Sequence, residues 1–289
     1  MSVASTGVAA PATFKAALVQ LRTGKSVDAN IEAASRLIRQ AAAQGASFVA
    51  TPETTSLMEL GAERLFANIV REEDDRALLA FRHLAAELGL YLLIGSLAVL
   101  AGEGKAANRS FLIGPDGRIL ARYDKIHMFD VDLGNGEAYR ESKNYQAGEV
   151  AVLADLPFGR LGLSICYDLR FPHLYRALAH GGADFLTVPS AFTQQTGAAH
   201  WHVLLRARAI ETGCFVLAPA QGGTHENGRE TFGHSMIIAP WGEVLAEAGT
   251  DPCVILADID VARVREARSR VPSLSHDRDI KEPVLSRPE

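Results

Sequence analysis

The stretch Leu161-Gly162-Leu163-Ser164-Ile165-Cys166-Tyr167-Asp168-Leu169-Arg170-Phe171-Pro172 reads as a short apolar strand that stops at a cysteine and turns toward a helix. Pro172 suits the first turn of that helix, predicted over 172–180, because the N–H that proline lacks has no intrahelical acceptor there. Working outward, 185–188 predicts a strand ending at Pro189, 201–211 a helix and 214–218 another strand. Residues 236–239 and 244–246 flank the turn Pro240-Trp241-Gly242. Residues 254–259 predict a last strand before a short helix.

The preceding half has the same grammar. Residues 14–21 predict a strand. Ile31, Ala34, Leu37, Ile38 and Ala41 recur at helical spacing within 28–44, and Gly45 follows as a stop signal. Phe48-Val49-Ala50-Thr51-Pro52-Glu53 is a short apolar strand ending in Pro-Glu. Residues 76–87 form a helix closed by Gly89, and 91–100 a strongly apolar strand. Residues 110–113 and 119–123 flank the turn Pro115-Asp116-Gly117, and the polar, glycine-rich 127–149 is the longest loop. Strand–helix–strand units broken by antiparallel hairpins predict an α/β fold with mixed sheets. Each half runs helix, apolar strand ending in proline (Pro52, Pro189), helix, strand and Pro-x-Gly hairpin, which points to an internal duplication. No low-complexity linker divides the chain. One domain is expected over 14–281, between a loose leader at 1–13 and a polar tail at 282–289.

Of the 289 residues, 48% are hydrophobic, which excludes a disordered chain. Lys and Arg number 29 against 34 Asp and Glu, a net charge of −5 with no basic block, so nucleic acid and anionic membrane surfaces are not expected partners. No stretch approaches the ~18 apolar residues of a membrane span. The leader lacks the positive start and apolar core of a signal peptide. Three cysteines, Cys166, Cys214 and Cys253, make neither a disulfide framework nor a Cys-x-x-Cys motif, and a cytoplasmic setting is expected. His200 and His202 stand about 200° apart on a helix. With no other ligand motif in the chain, no metal and no cofactor are expected.

A strand that ends at Cys166 presents the thiol at a corner, and the following N–H groups point at whatever the sulfur attacks. Taken singly, a free cysteine is more often a small buried hydrophobe. Glu53 and Lys125 also sit at predicted strand ends, where a charged side chain is usually just solvated. Together, a Glu, a Lys and a Cys at one rim of a sheet can run amide hydrolysis. The carboxylate takes the thiol proton and returns it to the leaving amine, and the ammonium stabilises the oxyanion.

Pro52-Glu53, Lys125-Ile126-His127-Met128-Phe129-Asp130-Val131-Asp132 and Ile165-Cys166-Tyr167-Asp168-Leu169-Arg170-Phe171-Pro172 resemble, in order, the three signature segments of the nitrilase (carbon–nitrogen hydrolase) superfamily. The resemblance runs from residue 14 to residue 281 and takes in Pro189-Ser190-Ala191-Phe192 and Gly233-His234-Ser235-Met236. It implies a four-layer α-β-β-α sandwich of two mixed sheets with an internal pseudo-two-fold. It implies Glu53 as general base, Lys125 as oxyanion stabiliser and Cys166 as nucleophile, with the Tyr167 N–H completing the oxyanion hole. A second glutamate in the family's loop after the lysine matches Glu141, with Glu137 close by. Its implied role is to hold Lys125 and the substrate amide.

Within the superfamily, Phe129-Asp130-Val131-Asp132, Ala191-Phe192, Thr196-Gly197 and Ala220-Gln221-Gly222 resemble the branch of deaminated glutathione amidase and omega-amidase. This implies a small, carboxylate-bearing linear amide as substrate, cleaved to acid plus amine or ammonia through a cysteine thioester. A carboxylate calls for an arginine with bidentate geometry, and Arg170 is the expected one, with an ion pair to Asp168 as its structural alternative. Phe192 and Thr196 are expected to line the pocket, or else to serve as core and helix cap. Ala198 and Gln194-Gln195 depart from the branch pattern in the pocket wall. The competing readings are N-carbamoyl hydrolysis on the same fold and a non-catalytic scaffold. The resemblance also implies a homodimer or higher homo-oligomer.

Overall fold

The computed structural model describes residues 13–134 and 136–286. Of the expected leader only Thr13 falls within them, and of the expected tail only 282–286, which has neither helix nor strand. The first half contains β1 (Thr13–Gln20), α1 (Val27–Ala43), β2 (Phe48–Ala50), α2 (Ala62–Asn68), α3 (Arg76–Leu88), β3 (Tyr91–Leu100), β4 (Ala106–Ile113) and β5 (Ile119–Asp124). A small hairpin, β6 (Asp130–Asp132) and β7 (Ala138–Arg140), and the two-residue β8 (Tyr145–Gln146) follow. The second half contains β9 (Leu153–Leu156), β10 (Gly159–Leu163), α4 (Pro172–His180), β11 (Phe185–Thr187), α5 (Gln194–Thr212) and β12 (Phe215–Ala218). The hairpin β13 (Gly222–Thr224) and β14 (Glu230–Phe232) comes next, then β15 (Met236–Ile238), β16 (Val244–Glu247), β17 (Cys253–Asp260) and α6 (Ala262–Arg270).

The duplication is explicit in the strand order. One sheet runs β17-β1-β2-β3-β4-β5 and the other β9-β10-β11-β12-β15-β16. In each, three parallel strands (β1, β2, β3; β10, β11, β12) are flanked by one antiparallel strand on one side and an antiparallel hairpin on the other.

Period-two alternation builds the layers. In β1, Ala16 and Leu18 face the core between the sheets, with Phe48, Leu93, Leu161, Leu163 and Phe185, while Ala17 and Val19 face Leu37 and Ile38 of α1 and Phe81 of α3. On the far face of the second sheet, Leu174 and Tyr175 of α4 and Trp201 and Leu205 of α5 are buried. The result is the expected helix–sheet–sheet–helix sandwich. Phe14, Phe48, Phe158 and Phe185 interlock between the sheets, with Phe14 stacked on Phe158 at 4.0 Å between centroids. Helix boundaries follow local chemistry. Ser26 caps α1 and Asp75 caps α3, whose end at Gly89 takes the left-handed conformation (φ 64°).

Several elements differ from the sequence expectation. The 127–149 loop holds a paired hairpin, whose register joins Val131 to Tyr139, and a single helical turn, Glu141–Lys143. Helix α5 starts seven residues before the predicted start at 201, because Thr193 caps it and Gly197 lets it press against Phe232, where a Cβ would lie 2.3 Å from that side chain. The short α2 and the β13–β14 hairpin have too few residues to show a period.

Candidate active site

Glu53, Lys125 and Cys166 leave the ends of β2, β5 and β10, on both sheets, and meet in one cavity of about 220 Å³ with Glu141, Tyr167, Phe192 and Thr196. Glu53 follows Pro52 in a tight turn. Thr55 Oγ1 donates to the Pro52 carbonyl (2.7 Å) and Ser96 Oγ accepts from the Thr54 N–H (2.9 Å). Gln221, from the second half, donates to the Glu53 carbonyl (2.9 Å). The Glu53 carboxylate accepts from Lys125 Nζ (2.9 Å) and Asn108 Nδ2 (2.9 Å) on Oε1 and from the Ala191 N–H (2.9 Å) on Oε2.

Lys125 is 2% exposed. Besides Glu53, its ammonium donates to both oxygens of Glu141, at 3.0 and 2.8 Å. Glu141 in turn accepts from the Phe129 N–H (2.7 Å) and from Asn108 Nδ2 (3.1 Å). Asn108 thus bridges the two carboxylates with one amide nitrogen, and its own Oδ1 is buried without a partner among the described residues. Glu137, the alternative to Glu141, instead accepts from the Tyr139 hydroxyl and does not line the cavity.

Cys166 has φ 47°, the left-handed region that disfavours a side chain, at a cost of roughly 1–2 kcal/mol. The strand-to-helix turn is locked from both sides. The Cys166 N–H donates to the Pro189 carbonyl (2.9 Å). Asp168, fully buried, accepts from the Ile165 N–H (2.8 Å), the Tyr123 hydroxyl (2.7 Å) and the His127 N–H (3.0 Å), tying the turn to the segment around Lys125. Tyr167 is the second residue of the single turn Cys166–Arg170, where the first N–H groups have no intrahelical acceptor.

The charges in this cavity are strongly coupled. Burial alone would raise Glu53, but the charge and hydrogen bond of Lys125, aided by Arg229, hold it below the usual carboxylate range. Burial alone would lower Lys125, and Glu141 and Glu53 outweigh it, keeping the ammonium charged. Burial, with Glu53's charge beside it, pushes the Cys166 thiol well above its ordinary value. The resting pair is therefore a neutral thiol beside a carboxylate.

The structure does not bring Arg170 to the cavity. Its guanidinium lies over the rings of Phe192 (5.2 Å) and Tyr167 (5.9 Å), with Nη1 3.2 Å from His200 Nδ1, and it makes no ion pair with Asp168. Asn108 and Arg229 line the cavity and were not among the expected site residues. Asn108 was detectable as a polar residue on the inward face of an apolar strand. Arg229 follows Asn227-Gly228, a hairpin-turn dipeptide. Among the described residues no cluster of His, Cys, Asp and Glu is arranged to hold a metal ion, and no helix is long and apolar enough to cross a membrane.

The sequence pattern of the family described as carbon-nitrogen hydrolase matches residues 15–269. The chain is 44% identical to a deaminated glutathione amidase of Synechocystis sp., covering 91% of this chain and 97% of that one. It is 36% identical to an omega-amidase of Homo sapiens, covering 90% and 93%. Its structure superposes on that of the C. elegans NitFhit protein with a TM-score of 0.86 at 35% identity, covering 92% of this chain and 65% of that chain. The buried Glu, Lys and Cys on two duplicated sheets, and a match over almost the whole described chain, place this protein in the carbon-nitrogen hydrolase family.

Proposed function

We propose that the protein is a thiol-dependent amidase that hydrolyses a small, carboxylate-bearing linear amide, of the deaminated-glutathione or α-keto-acid ω-amide type, to an acid plus an amine or ammonia. The observation that carries this reading is the strained Cys166 facing the Glu53–Lys125 pair in one buried cavity. The relatives named deaminated glutathione amidase and omega-amidase support the substrate class.

In this reading Glu53 takes the Cys166 proton as the sulfur attacks the amide carbon, so that the C–S bond forms and the carbonyl electrons move to oxygen. Lys125 Nζ and the Tyr167 N–H receive that oxyanion. The intermediate collapses, the C–N bond breaks, and Glu53 gives its proton to the leaving nitrogen. Water, deprotonated by Glu53, then attacks the thioester, and the departing sulfur recovers the proton. Glu141 keeps Lys125 charged and aimed. A neutral thiol beside a carboxylate means that proton transfer must accompany attack, with the developing thiolate stabilised by the adjacent ammonium.

Ammonia release from the ω-amide of an α-keto dicarboxylic acid tests the reaction. Cys166→Ala abolishes it while the protein stays folded, and Glu53→Gln slows turnover by at least ~100-fold. Equal turnover by wild type and Cys166→Ala overturns the reading. We further propose that the chain acts in the cytoplasm, consistent with its three free cysteines, and as a homo-oligomer. Val203 and Ile210, two turns apart on α5, are 68% and 56% exposed, an apolar stripe suited to a second copy.

A further inference from the structure

We infer that Arg229, at the tip of the β13–β14 hairpin, is the residue that reads the substrate carboxylate and thereby sets the length of amide that is cleaved. This assignment rests on the amidase reading above and gives it a specificity determinant that Arg170 does not supply. Arg229 lines the same cavity as Cys166. Its guanidinium is held at one corner only: Nη2 donates to the Ala191 carbonyl (2.5 Å), Nη1 lies 3.8 Å from Met58 Sδ, and the Tyr139 ring covers it at 5.2 Å. Its Nε is buried without a partner, and no carboxylate pairs with it among the described residues. A guanidinium has five N–H groups in a fork that fits a carboxylate, and this one spends one of them on a backbone carbonyl.

The protein's own acids at this site are already engaged. Glu53 and Glu141 are held by Lys125 and Asn108, and Glu59 by Arg64 (2.9 Å). A carboxylate paired directly with Arg229 would therefore come with the ligand.

The geometry also bounds the spacing. The Ala191 N–H donates to Glu53 Oε2 while the Ala191 carbonyl accepts from Arg229 Nη2. One residue thus holds the base and the arginine in register, within about 9 Å of each other by bond lengths. A carboxylate at Arg229 places an amide carbon about three or four bonds away against Cys166 and Glu53. Those dimensions fit the monoamide of a four- or five-carbon dicarboxylic acid.

The test pairs succinamate with its neutral isostere succinamide in an ammonia-release assay. The wild type prefers succinamate. Arg229→Gln lowers the succinamate-to-succinamide ratio of kcat/KM by roughly 10- to 100-fold, mostly through KM, the loss expected for a charge-assisted bidentate contact. Arg229→Lys, which keeps the charge but not the fork, recovers only part of the ratio. Arg170→Gln leaves it within about threefold. A ratio unchanged in Arg229→Gln, or lost in Arg170→Gln instead, overturns the inference. A binding measurement separates it from the amidase reading. Succinamate raises the melting temperature of Cys166→Ala more than succinamide does; adding Arg229→Gln removes that difference and adding Arg229→Lys leaves part of it. If succinamate shows no such advantage, the carboxylate assignment fails even where amide cleavage is intact. If succinamate binds through Arg229 but no amide is cleaved by the wild type, the amidase reading fails alone.

Discussion

Glu53 is satisfied by three donors and Lys125 by two carboxylates, so at the residue scale the cavity is a fixed charge array. Its pH behaviour follows. In the proposed reaction Glu53 works ionised, and it is held below the ordinary carboxylate value of about 4.3, so the active form survives as pH falls and is lost only through that lowered pKa. The thiol is pushed above its ordinary value of about 8.5, so no thiolate accumulates near neutrality. The rate profile of kcat/KM is therefore expected to be flat between about pH 5.5 and 8.5. A rise with thiolate formation near pH 8.5 contradicts the proposed Glu–Cys pair. Asn108→Leu removes a donor from both carboxylates while keeping the branched side-chain skeleton. It is expected to move the acid limb of the same profile to higher pH and to lower the plateau about tenfold. Glu53, Lys125 and Cys166 were legible in the sequence because the segments that carry them resemble, in order, the signature segments of the superfamily, while a strand-end position alone favours a solvated charge or a buried thiol. Asn108 shows in the sequence only as a polar residue in an apolar strand and Arg229 only as a neighbour of a turn dipeptide, since their significance lies in partners 55 and 38 residues away.

At the scale of elements, the turn after β10 stores strain for its geometry. Cys166→Gly accepts φ 47° without penalty, whereas Cys166→Ala keeps the Cβ that makes the conformation costly. Urea unfolding is expected to find the glycine variant more stable than the alanine variant by about 1 kcal/mol, although neither hydrolyses amide. Elsewhere in a helix or strand the same comparison favours alanine, so the reversed order is specific to a strained turn. Strand positions were largely legible because their apolar runs are bounded by Pro and Gly. The 127–149 segment was not, because its hairpin is polar and three residues a side, and its order comes from Glu141 and Asp130 binding backbone N–H groups across the loop.

For the whole molecule, the duplicated halves share one site beside one very close backbone approach. Gly95, in an irregular stretch of β3, passes so close to the segments that follow β2 and β11 that an added Cβ would lie 2.1 Å from the Thr51 carbonyl oxygen and 2.5 Å from Pro189 Cβ. Pro52 and Pro189 are the matching strand-end prolines of the two halves, so this contact sits near the pseudo-two-fold. It also sets how Glu53, from the first half, meets the Ala191 N–H of the second. Gly95→Ala is expected to wedge the halves apart, destabilising the protein by about 1–3 kcal/mol, as overpacking does. Because that wedge lengthens the Ala191–Glu53 hydrogen bond, kcat falls as well, roughly tenfold or more, while a core truncation away from the junction such as Leu84→Ala loses comparable stability with kcat retained. Calorimetry and steady-state rates on the two variants separate a junction that aligns the site from one that merely fills space. If Gly95→Ala and Leu84→Ala lose stability alike and both keep kcat, the alignment of the halves does not govern the chemistry.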